Sequence, residues 1–222
     1  MALNAAEEES IEALKRWWEE NSGQLIAILV VAAVAVGGWY LLQSSRTQTA
    51  NMASDLYEEV MQLAATAQEA EDKLVNRQAI KDLAATLKAD FTDTIYARYA
   101  ALFAAQQEVN AGDLGAAEAE LQWVLDNSQG SLFKSADEAL LLTTNLRLGR
   151  VILASGDTDR ALDLVNRVDP GSLEADFAEL RGDIYLAMGR EVDARDSYLA
   201  AQQAGSSSQF LRMKLDALAN ES

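Results

Sequence analysis

The 222-residue chain contains no histidine, no cysteine and a single proline. Without histidine there is no imidazole base, which excludes a Ser-His-Asp arrangement and the usual zinc sites. Without cysteine there is no thiolate nucleophile, no disulfide and no cysteine metal site. Positive charge is also scarce, since 18 Lys and Arg stand against 35 Asp and Glu, for a net charge of −17. Such a chain repels the phosphate backbone, so nucleic acid is not a predicted partner.

Pairs of carboxylates are the catalytic candidates that this composition leaves. Asp157/Asp159 and Asp193/Asp196 are examples, and two carboxylates can act as acid and base in glycoside hydrolysis. These pairs fall at predicted helix starts and on polar faces, where Asp and Glu cap backbone N–H groups. The chain shows no phosphate-binding loop, dinucleotide fingerprint or calcium loop. We therefore predict that the protein is not an enzyme and has no cofactor or metal, with a carboxylate-pair enzyme as the alternative.

One long apolar run interrupts the acidic chain: residues 25–42 read LIAILVVAAVAVGGWYLL and carry no charge. As a helix the run spans about 27 Å, close to the roughly 30 Å hydrocarbon core of a bilayer. Two tryptophans precede it, and Trp39 and Tyr40 lie near its end, as membrane interfaces favour. A soluble core helix would show a polar stripe, and a cleaved signal begins with a short basic segment, whereas residues 1–24 contain six acids. The run predicts a membrane anchor, with a cleaved signal as the alternative.

Basic residues near the run indicate its orientation. Lys15 and Arg16 precede it, and Arg46 alone follows closely, which favours a cytoplasmic N-terminus and a single-pass type II anchor. In a bacterium the C-terminal part would then lie in the periplasm. The predicted boundaries are 1–24 for the cytoplasmic segment, 25–42 for the transmembrane helix, 43–52 for a polar linker and 53–222 for a periplasmic domain.

The apolar run also contains a small-xxx-small pair, Ala33 and Gly37. Such a pair lets a second membrane helix approach closely, so we predict a membrane helix contact there. The alternative is that Ala and Gly are simply common in membrane helices. The lipid bilayer is a predicted partner in either case.

Beyond residue 52 the apolar residues follow helical spacing, which predicts an all-α fold. Three segments share a pattern of two small residues seven apart, a small residue five positions later and a larger apolar residue nine positions later. The matching residues are Ala105, Gly112, Ala117 and Leu121, then Gly149, Gly156, Ala161 and Val165, then Gly182, Gly189, Ala194 and Tyr198. In a two-helix repeat, the second glycine ends the first helix in a left-handed turn, and the alanine lets the second helix pack closely.

This spacing is similar to that of tetratricopeptide repeats, whose period is about 34 residues. Gly156 and Gly189 lie 33 residues apart, whereas Gly112 and Gly156 lie 44 apart, so the extra residues are predicted in the loop DNSQGSLFKSADE. A final helix is predicted to cover the open end of the solenoid. Its apolar face consists of Leu211, Leu215 and Leu218. The alternative is an irregular helical bundle with coincidental glycine spacing.

Stacked helix pairs form a concave surface lined by the first helix of each repeat. Carried over from tetratricopeptide domains, this convention predicts a partner-binding groove formed by Tyr99, Leu102, Gln106, Val109, Thr143, Leu146, Arg150, Leu153, Asp176, Glu179, Asp183 and Leu186. The three acids of the third repeat argue against a C-terminal carboxylate as ligand. A mixed apolar and acidic groove suits a partner helix or an extended basic or apolar polypeptide. The alternative is that the acids only keep an exposed face soluble.

Two segments carry a resemblance to a known family: ALKRWWEENSGQLIAILVVAAVAVGGWYLL and the helix YARYAALFAA. The whole chain resembles the YfgM-type ancillary subunits of the bacterial SecYEG translocon. The resemblance implies a single-pass inner-membrane protein with a periplasmic tetratricopeptide-like domain. It also implies partnership with the translocon and with PpiD, a membrane-anchored periplasmic chaperone of the prolyl-isomerase class.

The resulting functional hypothesis is a non-enzymatic accessory protein of the SecYEG translocon. It would bind partners through its repeat domain and support chaperoning of secreted or envelope proteins together with PpiD. Nascent secretory polypeptides are further candidate partners. The alternative is a tetratricopeptide scaffold of another envelope assembly machine.

Overall fold

The computed structural model of the chain describes residues 5–66, 70–128 and 134–220. Over these ranges the secondary structure is helical throughout, without strands, which confirms the predicted all-α class. The elements are α1 (Ala5–Thr66), α2 (Ala70–Asp90), α3 (Ile95–Ala111), α4 (Leu114–Asp126), α5 (Lys134–Ala154), α6 (Thr158–Arg167), a 3-10 turn (Gly171–Leu173), α7 (Glu174–Ala187), α8 (Glu191–Gln203) and α9 (Gln209–Asn220). The chain divides into two compact units, Met1–Asn51 and Met52–Ser222.

The N-terminal unit presents apolar side chains to its surroundings, from Ile26 to Tyr40. Among the described residues, no single helix is both long and apolar enough to cross a membrane. The segments Ser10–Gln24 and Ile26–Tyr40, bent by 45° from each other, meet that requirement of length and composition as a pair. Ala33, at the predicted helix contact, is exposed, and nothing lies within 4 Å of a Cβ added at Gly37.

Residues 43–52, expected to form a linker, are helical and belong to α1. The segment contains neither glycine nor proline, so nothing in its backbone opposes a helix. The Thr47 hydroxyl donates to the carbonyl of Gln43, four residues earlier, at 3.0 Å. Serine and threonine make this bond inside helices without ending them. The predicted polar linker is therefore helical.

Left-handed glycine turns join the helices of the C-terminal unit in pairs. Gly112, Gly156 and Gly189 have φ of 80°, 90° and 73°, a conformation that is strained for residues with a Cβ. The residue after each glycine donates its N–H to a carbonyl five positions back, as Asp113 does to Glu108 at 3.0 Å. The resulting pairs are α3–α4, α5–α6 and α7–α8, which confirms the predicted two-helix repeats.

The same turns also begin the second helix of each pair. The Asp113 and Asp157 side chains each accept a hydrogen bond from a backbone N–H three residues on, so they cap α4 and α6. Arg190 takes this position in the third repeat and makes no cap, but its Nε donates to Asp193 at 2.7 Å. Asp157 and Asp193 thus have structural partners at helix starts, as expected for capping and surface acids.

Packing between the paired helices follows the predicted register. The small residues Ala117, Ala161 and Ala194 are 0% exposed. The larger residues four positions later, Leu121, Val165 and Tyr198, are at most 1% exposed. A Cβ built on Gly182 would lie 2.3 Å from Cε1 of Tyr198. A Cβ on Gly149 would lie 2.8 Å from Cδ2 of Leu180. The first glycine of each of these repeats is therefore a site of close approach.

The interval from Gly112 to Gly156 is longer than that from Gly156 to Gly189 mainly because its two helices, α4 and α5, are longer. α5 has 21 residues where α7 has 14, and α4 has 13 where α6 has 10. The segment 126–138, in which the extra residues are predicted, is only partly a loop: Asp126 ends α4 and residues 134–138 begin α5, whereas residues 129–133 lie outside the described ranges. The longer α5 supplies one wall of the site described below.

Buried residues form three clusters along the C-terminal unit. One lies among the end of α1, α2 and α3, a second spans α3 to α7, and a third joins α7, α8 and α9. Leu211 and Leu218 of α9 are 1% and 5% exposed, and Leu215 packs beside them. This confirms the predicted final helix and its apolar face.

Candidate partner-binding groove

Two adjoining cavities lie between α3 and α5, with volumes of about 310 and 470 Å³. The first is lined by Tyr99, Leu102, Phe103, Gln106, Ala139, Leu140, Thr143 and Arg147. The second is lined by Leu102, Ala105, Gln106, Val109, Leu114, Leu121, Arg147, Arg150, Val151 and Ala154. We call these two cavities together the groove. Their volumes fall in the range of about 300–1,000 Å³ that is usual for binding sites.

Half of the predicted groove residues line these cavities. They are Tyr99, Leu102, Gln106, Val109, Thr143 and Arg150. They come from the first helices of two neighbouring repeats, as the tetratricopeptide convention predicts. Tyr99 and Val109 are 38% and 43% exposed, so their apolar surfaces are available to a partner.

An aromatic cluster forms the wall of the groove near Tyr99. The ring of Tyr57, from the last part of α1, lies 5.7 Å from the ring of Tyr96, 6.1 Å from Tyr99 and 6.2 Å from Phe103. Burial, and then the neighbouring Tyr99, raise the pKa of the Tyr57 hydroxyl. Sequence reasoning missed Tyr57 and Phe103, because Tyr57 reaches the site from outside the repeats. The contact with Tyr57 places the half-exposed Tyr99 ring at the wall of the groove.

The charged side chains that line the groove are Arg147 and Arg150. Among the lining residues that the structure describes, there is no carboxylate in either cavity. Arg150 lies 3.9 Å from Asp176, and these two side chains are 54% and 48% exposed. Exposed pairs at such a distance contribute little, about 0–1 kcal/mol. The groove is therefore apolar with positive charge from Arg147 and Arg150, although the chain as a whole is strongly acidic.

Two of the three predicted groove acids belong to a different arrangement. Lys214 of α9 lies 2.8 Å from Glu179 and 2.6 Å from Asp183, and both acids lie on α7. The buried Tyr198 hydroxyl donates to Asp183 at 2.8 Å, and the Lys214 ammonium lies 5.4 Å from the Tyr198 ring. We call these four residues the α9 clasp. Glu179 and Asp183 therefore face α9, with side chains 19% and 32% exposed, and neither lines the two cavities.

The titration of the α9 clasp follows from these contacts. Burial alone would lower the pKa of Lys214, but hydrogen bonds to Asp183 and Glu179 outweigh it and raise the pKa. Burial and the bond to Asp183 raise the pKa of the Tyr198 hydroxyl. Both groups therefore keep their protons in the folded chain to higher pH than usual.

The remaining predicted residues do not line the groove. Leu146 is 5% exposed and belongs to the largest core cluster, and Leu153 is partly buried against the same cluster. Leu186 is 42% exposed near the end of α7, outside both cavities. Leu146 turns inward because α5 packs against helices on two sides, which makes its apolar positions a poor guide to the groove. Within the described residues, no cluster of acids is placed to hold a metal ion.

Comparison with known proteins gives this arrangement a context. Residues 15–220 match the model of a family described as tetratricopeptide repeat-like domain. A protein of Haemophilus influenzae is 33% identical over 220 residues, covering 98% of this chain and 100% of that protein. Proteins of Neisseria gonorrhoeae and Escherichia coli K12 are each 29% identical, over 98% of this chain and 100% and 99% of their own lengths. All three are named ancillary SecYEG translocon subunits.

Proposed function

This chain belongs to the family of ancillary SecYEG translocon subunits, and on that premise we propose that it is a non-enzymatic accessory protein of the translocon in the bacterial inner membrane. Residues 25–42 anchor it as a single pass, residues 1–24 lie in the cytoplasm and residues 53–222 lie in the periplasm. The excess of Lys15 and Arg16 before the run supports this orientation. The exposed apolar residues of the N-terminal unit support contact with lipid.

The observation that carries the binding role is the groove between α3 and α5. It brings apolar side chains of two repeats to one solvent-accessible groove, and the aromatic cluster supports its wall near Tyr99. A groove of this kind holds a segment of another polypeptide. We assign this segment to PpiD or to a nascent secretory chain, so that the protein supports chaperoning of secreted or envelope proteins beside the translocon.

The size of the groove sets the affinity that it can supply. Each large apolar side chain that a partner buries fully contributes about 1.5–3 kcal/mol, and tenfold in affinity corresponds to about 1.4 kcal/mol. A substitution that blocks the groove at one position should therefore weaken binding of the partner at least tenfold. Gln106 is the position of choice, because it lines both cavities and is itself exposed.

The test compares two Gln→Trp variants of the full-length chain carrying a C-terminal tag. Gln106→Trp fills the groove, whereas Gln122→Trp changes an exposed position of α4 that lines neither cavity. Each tagged chain is purified from detergent-solubilised membranes, and the recovered SecY and PpiD are quantified. We expect Gln106→Trp to lose at least nine-tenths of the PpiD, while Gln122→Trp recovers both proteins as the unchanged chain does.

Two results would contradict this proposal. Equal recovery of PpiD with both variants, under the conditions in which the unchanged chain recovers it, would exclude the groove. Recovery of a different envelope machine in place of the translocon would favour the alternative of a scaffold for that machine.

A further inference from the structure

The charge of the groove is opposite to the charge of the protein. The chain carries a net charge of −17, yet Arg147 and Arg150 are the charged residues among those that line the two cavities. We propose that the groove takes a segment of a partner polypeptide in which an acidic side chain lies between two large apolar ones, with the carboxylate on Arg147. This inference rests on the proposed function, since it specifies the chemistry of the partner that the groove holds.

Arg147 lies at the centre of the groove. It lines both cavities, and it shares that position with Leu102 and Gln106. On one side of it lie the aromatic side chains of Tyr99 and Phe103, and on the other lies a second apolar wall. That second wall is formed by Val109, Leu114, Leu121, Val151 and Ala154. A partner that fills both cavities therefore has one apolar side chain in each cavity, and the part of the partner between these side chains lies against the Arg147 guanidinium.

The length of the groove suits a short helix. From Tyr99 to Val109 along α3 the rise is about 15 Å, at 1.5 Å per residue. Apolar side chains seven residues apart on a partner helix are separated by about 10.5 Å and lie on one face. An acid three or four residues after the first of them lies between the two on that face. The order apolar, acidic, apolar thus matches the order of surfaces in the groove.

Several features favour a side-chain carboxylate over a C-terminal carboxylate or a basic segment. The groove continues past Arg147 in both directions, so a chain does not have to end there, as it would for a C-terminal carboxylate. A basic segment would bring like charge to Arg147 without a lining carboxylate to receive it. Among the described residues Arg147 makes no ion pair, and its planar guanidinium forms two parallel hydrogen bonds with a carboxylate.

Arg150 adds a second, adjustable positive charge. It lies three residues after Arg147 on α5, and its contact with Asp176 at 3.9 Å is at the limit of an ion pair. A partner carboxylate near the second cavity can compete with Asp176 for this guanidinium. Arg150 should therefore tolerate substitution better than Arg147.

The test uses the purified full-length chain in detergent and four fifteen-residue model helices with leucines seven residues apart. Three are amidated and carry Glu, Gln or Lys between the leucines, and the fourth carries Gln and has a free C-terminus. Binding is measured by fluorescence anisotropy of a label at the N-terminus. We expect the Glu peptide to bind at least fivefold more tightly than the Gln peptide, and the Lys peptide to bind most weakly.

Variants assign this preference to Arg147. We expect Arg147→Gln to bind the Glu and Gln peptides equally and Arg147→Glu to prefer the Lys peptide. Arg167→Gln is the matched control, because Arg167 is exposed on α6 and bonds to a carbonyl of its own helix. It should keep the full preference. A thermal melt of each of the three variants serves as the control for folding.

Three outcomes would overturn the inference. Equal binding of the Glu, Gln and Lys peptides to the unchanged chain would mean that charge plays no part. Tightest binding of the peptide with the free C-terminus would assign the groove to chain ends. Failure of all four peptides to bind at millimolar concentration would remove this class of ligand. The proposed function is judged separately, by whether Gln106→Trp loses PpiD from membranes.

Discussion

Replacing Gly182 by alanine should destabilise the repeat domain, although alanine is the better helix former. Gly182 is a buried position inside α7, facing Tyr198 of α8. The new Cβ would lie 2.3 Å from Cε1 and 2.4 Å from Cδ1 of that ring, whereas carbon atoms pack at about 3.5–4.0 Å. Either the ring or the whole of α7 must therefore move by more than about 1 Å.

The ring has little freedom to make this movement. Tyr198 is 0% exposed, and the α9 clasp holds its hydroxyl to Asp183. Overpacking of this kind costs about 1–3 kcal/mol or more, and the rigid ring places Gly182 at the upper end of that range. Alanine returns about 1 kcal/mol through its helix propensity. The net loss is about 2 kcal/mol, which lowers Tm by about 4–8 °C in a domain of this size.

The measurement is a thermal melt of the full-length chain in detergent, with Gly115→Ala as the matched control. A Cβ on Gly115, also in a helix, meets only Asp113 Oδ1 at 3.8 Å, so this variant should be about 0.5–1 kcal/mol more stable. The added change Tyr198→Leu should remove the clash, so the double variant should lose less than the two single losses together. A Gly182→Ala chain at least as stable as the unchanged one would refute the packing argument.

Two further predictions concern the α9 clasp and the membrane topology. Lys214→Gln should cost about 1–2 kcal/mol at pH 7, because it leaves Glu179 and Asp183 without their charged donor. Since the folded-state pKa values of Lys214 and Tyr198 are raised, the clasp's contribution is complete below about pH 10 and is lost as the pH rises through those values. The difference between the unchanged chain and Lys214→Gln should therefore shrink in strong alkali, and a difference independent of pH up to denaturation would contradict this. In right-side-out spheroplasts, external protease should remove a C-terminal tag, and a tag that survives while a known periplasmic domain is digested would reverse the orientation.

The repeats were predictable because each depends on a few residues at fixed spacing. A glycine that must adopt positive φ and an alanine with no room for a larger side chain leave clear marks in a sequence. Gly112, Gly156 and Gly189 and the alanines five positions after them gave the register of all three pairs. The same logic explains Tyr198, whose large ring is possible only because position 182 has no side chain.

The groove was only partly predictable. Contacts with other helices decide which of the predicted residues line it, and residue spacing does not specify those contacts. α5 is apolar on more than one face, so its apolar spacing does not show that Leu146, which is 5% exposed, lies in the core and not in the groove. Glu179 pairs with a lysine 35 residues further on, and no local pattern links the two. Arg147 was missed for a related reason. It lines the groove only because α3 forms the opposite wall, and no local pattern in α5 indicates this.

The helices of the C-terminal unit contact one another mainly in the order in which they are made. α2 contacts α3, α3 contacts α4, and so on to α8 and α9, with α5 and α7 also in contact. Folding from such short-range contacts is fast and can begin at the N-terminal side before the rest of the chain has been synthesised. The α9 clasp and the third core cluster need α9, because Glu179 and Asp183 pair with Lys214 and because Leu211 and Leu218 complete that cluster. A growing chain can thus complete its groove, between α3 and α5, while α9 is still inside the ribosome, and it gains its final stability when α9 docks.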